Sequence, residues 1–274
     1  MDKRLGRVAF SVSYSISEVL TLIESALISA GTAFLTTIAT KSGGPVAETL
    51  GLIWKITLGR WNPKMEAIVK KNTEKYAAEI NEQVSKIPNE DINKDPDISI
   101  IGPAFEASKY YVNRDDARKM FAKLIAAELN VKKTGKVHHA FVDIIQQMST
   151  NDAKLMEKLP HVGPIADIRL MNKEGTAYLP LLTQDIIYIP GLIEENFVEN
   201  AVSLSNLSRL GLVKIDHVLS LTESSSYAPY KYLSAYKQGE LEVATNPDKY
   251  SRIELSTGMF SVTPLGQRFK EICL

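Results

Sequence analysis

The chain has 274 residues, of which 45% are hydrophobic, and this is enough for one large domain or two ordinary ones. Lys and Arg together number 32, as do Asp and Glu, so no overall positive charge favours nucleic acid as a partner. The single cysteine, Cys273, cannot form a disulfide within the chain, which is typical of the reducing cytosol and argues against a small secreted scaffold.

Residues 1–42 are predicted to form an extension of one strand and one helix. Apolar residues alternate with serine from Phe10 to Ser17, which is the period of a strand with one buried face. From Ile16 onward the apolar residues recur at steps of three and four, which places them on one helix face. The uncharged run 25–40 is shorter than the roughly 20 apolar residues that span a membrane. We expect this face to contact the protein body, a second subunit or a membrane surface through Leu20, Ile23, Leu27 and Phe34.

Residues 43–160 are predicted to form a helical bundle. Pro45 and Pro63 stand where the first turn of a helix tolerates proline, and a polar loop follows at 87–98. Four helices in close succession are typical of a bundle. After the loop, helices are predicted to begin near Pro103 and again at Asn113, to run from His138 to Met148, and to continue from a cap at Ser149–Asp152 until just before Pro160.

Residues 161–274 are predicted to combine short strands with helices. Two strands flank a turn at 172–175, a second hairpin turns at 256–258, and Thr263 caps a closing helix. The other predicted segments are strands Ile165–Met171, Ala177–Leu182 and Leu212–Val218, helix Glu194–Leu210, a further helix within Tyr227–Tyr236, and hairpin strands Arg252–Leu255 and Met259–Val262. Helix, strand, hairpin and closing helix, in this order, are the parts of a winged-helix domain.

The predicted fold class is therefore mostly α with a small α+β part. An N-terminal helical bundle precedes a winged-helix-like C-terminal domain, and the predicted domains are 1–42, 43–160 and 161–274.

The sequence contains none of the motifs that mark common enzyme classes. It has no Gly-x-Ser-x-Gly elbow, no phosphate-binding loop, no dinucleotide-binding turn, and no second cysteine for a thiolate metal cluster. It therefore predicts no catalytic centre, no cofactor and no metal. His139 and Asp143 have the spacing of two metal ligands on one helix face, which leaves a metal-dependent hydrolase as an alternative. His161 and His217 are isolated and typical of surface or capping positions.

One compact basic segment is a candidate binding site for an anionic partner at a helix start, with a simple solvated turn as the alternative. It consists of Lys132, Lys133, Lys136, His138 and His139.

The predicted recognition helix has the wrong charge for DNA. Glu194, Glu195 and Glu199 oppose only Arg209, and a phosphate backbone would be repelled by them. Protein interaction is the favoured use of this module. A DNA-binding regulator that uses Lys231, Lys237 and Arg252 stays open as an alternative.

Several separated segments occur in an order and at spacings that, taken together, resemble those of a known protein family. They are Pro45–Gly51, Asp115–Leu129, Val137–Ile145, Met148–Leu155, Leu207–Val213 and Thr263–Phe269. Together they resemble the abortive-infection alpha family of bacterial proteins, and the block around Phe141 is the most telling. The resemblance implies a cytoplasmic protein of an anti-phage system, and it supplies no established catalytic residues.

The resemblance and the missing motifs lead to one main hypothesis. We expect a non-catalytic sensor or effector that binds a phage or host protein. A membrane-disrupting effector that uses residues 8–40 is an alternative, with peripheral attachment to the membrane. Self-association is a further alternative, and nucleic acid is not expected as a partner.

Overall fold

The computed structural model describes residues 63–189 and 196–274, with side chains from residue 74 onward except that of Lys109. The predicted strand and helix before residue 42, the contact residues Leu20, Ile23, Leu27 and Phe34, and the helix opened by Pro45 lie outside the described residues. The chain divides into two compact units, Met1–Pro88 and Asn89–Leu274. The domain limits drawn from the sequence stay a prediction.

The described part of the first unit is helix α1 (Pro63–Ser85), which confirms the helix predicted there. Its buried residues, Tyr76, Ala77, Ile80 and Val84, recur at steps of one, three and four and lie on one face. No described helix is long and apolar enough to cross a membrane.

Four helices open the second unit. They are α2 (Ile98–Tyr111), α3 (Asp115–Glu128), α4 (Ala140–Gln147) and α5 (Thr150–Lys158). The predicted start of α2 near Pro103 is wrong, because Asp97 already caps the helix by accepting the Ser99 N–H at 2.8 Å. The predicted cap of α5 is confirmed, since Ser149 and Asp152 form a reciprocal capping box.

The strands form one antiparallel sheet in the order β2-β1-β4-β3. The strands are β1 (Val162–Asn172), β2 (Tyr178–Ile187), β3 (Val213–Asp216) and β4 (Tyr250–Val262). β1 and β2 are joined by a turn in which Gly175 adopts a φ of 70°, a conformation that glycine accepts without strain. The small sheet is curled, and the protein is mostly helical.

The predicted hairpin at 256–258 is wrong, because β4 is one continuous strand of 13 residues. Ser256 and Gly258 pair with Asp167 and Ile165 of β1 instead of forming a turn. A Cβ on Gly258 would lie 2.7 Å from the Asp216 carbonyl oxygen. The glycine therefore permits close packing between strands, which a turn prediction mistakes for a reversal of the chain.

Three helices and a 3-10 helix complete the second unit. They are α6 (Phe197–Arg209), the 3-10 helix Ser224–Tyr232, α7 (Ser234–Thr245) and α8 (Pro264–Cys273). One sheet face is covered by a buried cluster of Ala166, Ile168, Ile186, Phe197, Tyr227, Tyr230 and Leu233. Helix α8 is capped by Thr263 as predicted and packs onto the helical part, where Phe269 meets Phe141 edge to face at 5.3 Å.

Candidate protein-docking surface

The predicted basic segment lies in the exposed turn between α3 and α4, and the protein itself neutralises part of it. The Lys132 ammonium donates to the Asp91 carboxylate at 2.6 Å, and this ion pair raises the pKa of Lys132. Lys136 pairs with Glu271 of α8, while Lys133 is exposed. Two of the three lysines thus serve as links within the fold, and binding of an anionic partner at this segment stays a prediction.

The two histidines of this segment contact the starts of helices. His138 Nδ1 accepts the N–H of Ala140, the first residue of α4. His139 lies 3.8 Å from the Asp97 carboxylate and 3.5 Å from the Ser99 hydroxyl. His139 thus lies beside Asp97, whereas Asp143 is exposed on α4. Hydrogen bonds from Ser99, with a smaller contribution from His139, hold the pKa of Asp97 below its usual value.

Residues 74–189 and 196–274 contain no group of three or more His, Cys, Asp or Glu side chains arranged to hold a metal ion. The Ser99 hydroxyl donates to Asp97 at 2.6 Å instead of to the histidine. The side chains of Asp97, Ser99 and His139 all lie exposed on the surface.

Helix α6, the predicted recognition helix, exposes two valines. Val198 and Val202, one turn apart, face solvent beside Glu199. The guanidinium of Arg209 is bound to Gln147 at 2.9 Å and to Asn206, so its donors are partly used within the protein. The predicted Glu194 and Glu195 lie outside the described residues.

An irregularity in β2 brings a carboxylate over the second face of the sheet. Ile168 pairs with Leu181 and Ala166 with Ile186, so four residues of β2, 182–185, stand opposite the single residue Asp167 of β1. The residues at both ends of this bulge have left-handed backbone conformations, with φ values of 70° at Leu182 and 54° at Asp185. Such conformations are strained for residues with side chains and persist where the surrounding structure enforces them.

The bulge is held by Asp167, which is buried. Asp167 accepts the backbone N–H of Asp185 at 2.8 Å and binds the Arg169 guanidinium at 2.7 Å. The Asp185 carboxylate lies 3.5 Å from the imidazole of His217, which follows β3. β2 and β3 are opposite edges of the sheet, so the curl and the bulge together bring these distant edges into contact.

The loop after β3 presents two aliphatic side chains to solvent. Val218 is 91% exposed and Leu219 is 58% exposed. The Asp216 carboxylate accepts the N–H groups of both residues, at 3.0 and 2.8 Å, and these bonds hold the pKa of Asp216 below its usual value.

Two further bonds fasten this loop to the sheet. The Tyr227 hydroxyl accepts the N–H of Leu221 at 2.9 Å and donates to the Gly258 carbonyl at 2.7 Å. The Ser220 and Thr257 hydroxyls lie 2.9 Å apart. The aliphatic side chains are therefore held out from the surface by a fixed backbone.

The bulge of β2 and the loop after β3 together form a surface that we call the tip surface. Leu182, which is 48% exposed, lies in the bulge that also carries Asp185, and the contact between Asp185 and His217 joins the bulge to the loop. The tip surface consists of Leu182, Asp185, His217, Val218 and Leu219.

Sequence reasoning misses this surface for identifiable reasons. The sequence predicts Val218 inside a strand, but β3 ends at Asp216. It also treats His217 as isolated, because the partner Asp185 is distant along the chain. Asp216, two residues before Val218, is the one local signal, since aspartate often accepts the backbone N–H two residues later in a turn.

The described features define a class of protein. They are those of a mostly helical protein with a small antiparallel sheet and an exposed, fastened apolar loop. The model of the family described as "Abortive infection alpha" matches residues 68–273, and the chain belongs to this family. No curated protein and no solved structure matches the chain. Membership of the family indicates a role in abortive infection, the response that protects bacteria against phage.

Proposed function

We propose that this protein acts in the cytoplasm as a sensor or effector of phage defence by binding a phage or host protein, without catalysing a reaction. The observation that carries the proposal is the exposure of Val218 and Leu219 on a loop whose backbone is fixed. When a partner covers apolar surface that is otherwise exposed to water, the free energy of the system falls, which favours binding.

The fixed backbone favours docking over a solvated loop with no partner. A flexible loop would lose conformational entropy on binding, whereas a loop fastened by Asp216, Tyr227 and Ser220 loses less of it. Preorganised apolar side chains are typical of surfaces that bind other proteins.

We further propose that α6, β3, β4 and α8 form a winged-helix-like module in which residues 217–249 replace the short turn of a wing. The order of these elements and the cap at Thr263 support this interpretation. The exposed valines of α6 support docking of a protein instead of a phosphate backbone.

The test is a double substitution, Val218→Ser with Leu219→Ser, in a host where the unaltered gene reduces plaque formation. We expect protection to fall at least tenfold, because the apolar contact with the partner is lost. Val131→Ser is the matched control, since Val131 is another exposed valine far along the chain from the tip surface, and it should leave protection intact.

Expression level and Tm of both variants are measured alongside protection. Both should keep the parent Tm, because the substituted side chains are exposed. Full protection by the double variant at normal expression would refute docking through the tip surface.

A further inference from the structure

Two neighbouring aspartates of the second unit differ in how their charges are compensated. Asp167 binds the Arg169 guanidinium at 2.7 Å, so its charge is matched within the protein. Among the described residues, Asp185 has only the imidazole of His217 at 3.5 Å, and its Oδ1 is buried without a hydrogen bond to any of them.

The surroundings of Asp185 disfavour its ionised form. Burial, and to a lesser degree the nearby charge of Asp167, raise the pKa of Asp185, and the opposing effect of His217 does not cancel them. The imidazole itself is 64% exposed, so water weakens its attraction for the carboxylate. The Asp185 side chain keeps 22% of its surface exposed and is therefore still accessible from outside.

Exposed apolar residues lie close along the chain to both residues of this contact. Leu182 stands at the other end of the bulge, and Val218 and Leu219 follow His217 directly. The remaining charged neighbours along the loop are acidic, Asp216 and Glu223, and of these Asp216 is matched by Lys214 at 3.4 Å. A partner that covers the apolar residues therefore meets a surface with an excess of negative charge.

We propose that the tip surface binds a protein segment in which a lysine or arginine is flanked by apolar residues, with the cation placed against Asp185. This inference rests on the proposed docking function and specifies its partner. A cation that arrives with an apolar segment is shielded from water once bound, which strengthens its attraction for the carboxylate. The same complementarity rejects acidic segments, because they would place like charges together at a desolvated position.

The test uses a random-peptide display library, selected on the full-length protein and counter-selected on the Val218→Ser, Leu219→Ser variant. Peptides that pass both steps depend on the tip surface. We expect them to carry lysine or arginine next to leucine, isoleucine, valine or phenylalanine. We also expect their affinity to fall about tenfold on Asp185→Asn, as loss of one charge-assisted contact predicts.

Asp185→Asn keeps the shape of the side chain and suits the backbone, because asparagine tolerates the left-handed conformation of this position. Asp248→Asn is the charge-matched control. Asp248 is almost fully exposed and pairs only loosely with Lys173, at 3.8 Å, so its substitution should not change peptide affinity.

Each outcome of the peptide selection either supports or overturns the proposal of a cationic partner. Peptides that need Val218 and Leu219 but bind Asp185→Asn as tightly as the parent would overturn the cationic partner and leave the docking function standing. Selected peptides without a cation, or a selection without peptides that depend on the tip surface, would also overturn it. The proposed docking function is judged separately, by the plaque assay.

Discussion

At the scale of single residues, Gly258 allows three strands to approach one another closely because glycine has no side chain. A Cβ there would lie 2.7 Å from the Asp216 carbonyl oxygen and 3.1 Å from the Ile165 side chain. Asp216 fastens the tip loop, so this glycine links the packing of the sheet to the position of Val218 and Leu219.

We expect Gly258→Ala to lower the free energy of unfolding by about 2–3 kcal/mol, because the added methyl group contacts backbone that cannot move aside cheaply. Urea unfolding measures the change. Gly102→Ala is the control, since a Cβ at that position of α2 meets no atom within 4 Å and alanine favours a helix by about 1 kcal/mol. Equal stabilities of the two variants would contradict the packing described for Gly258.

A second residue-scale prediction concerns the pH dependence caused by Asp185. Its pKa is higher in the folded protein than in the unfolded chain, so its ionisation at neutral pH disfavours the folded state. Asp185→Asn should therefore raise the Tm at pH 7, by roughly 2 °C for a chain of this size. The gain should shrink as the pH falls through the pKa of Asp185 in the folded protein, because the parent carboxyl then becomes neutral as well.

The measurement is a series of thermal unfolding curves from pH 7 to pH 4. The exposed Asp248→Asn control should show no gain at any pH. A gain that grows as the pH falls would mean that Asp185 is stabilised in its ionised form.

Local signals in the sequence were sufficient to predict the helix caps and insufficient to predict the role of Gly258. Ser149 and Thr263 were predictable as caps because their partners lie within three residues along the chain. Gly258 was not, since a glycine within a run of small residues marks a turn or a close approach equally well, and only the partner strand distinguishes them.

At the scale of elements, the 3-10 helix Ser224–Tyr232 is bonded to the sheet by the hydroxyls of Tyr227 and Tyr230, and that of Tyr230 has the most partners. The Tyr230 hydroxyl lies 3.0 Å from the Pro164 carbonyl oxygen and 3.1 Å from that of Ile186, and it accepts the N–H of Tyr188. Burial raises the pKa of this tyrosine, so the hydroxyl stays neutral and available as a donor.

We expect Tyr230→Phe to lower the free energy of unfolding by about 1–2 kcal/mol, because the buried partners of the hydroxyl lose this hydrogen bond. Tyr232→Phe, in the same helix but largely exposed, is the matched control and should be neutral. Chemical denaturation of the three proteins gives the comparison. A neutral Tyr230→Phe would show that these bonds are not needed to hold the element.

Helices were more predictable from the sequence than strands. The apolar periodicity of α1 and α3 is visible over several turns, and the structure confirms both helices. In β4 the partly buried residues do not alternate cleanly, because β1 and β3 pair with different lengths of the strand. The predicted break into a hairpin rests on Ser256, Thr257 and Gly258, which are typical turn residues.

At the scale of the whole molecule, the tip surface depends on the curl of the sheet. Asp185 and His217 belong to opposite edge strands or their connections, and the curl of the sheet together with the bulge of β2 brings them to 3.5 Å. No spacing along the chain encodes this contact. A single sequence therefore predicts the elements of this site better than the site itself.

The overall charge balance leads to a prediction about nucleic acid. With 32 basic and 32 acidic residues, the protein lacks the surplus of cations whose binding releases counterions from DNA. Arg252, one of the three cations considered for DNA contact, is bound to Glu254 at 2.7 Å. We therefore expect no retention of a duplex DNA fragment in a gel-shift assay, even at about 50 mM salt, where such binding is strongest. Retention that disappears on joint substitution of Lys231, Lys237 and Arg252 by alanine would favour a DNA-binding regulator over protein docking.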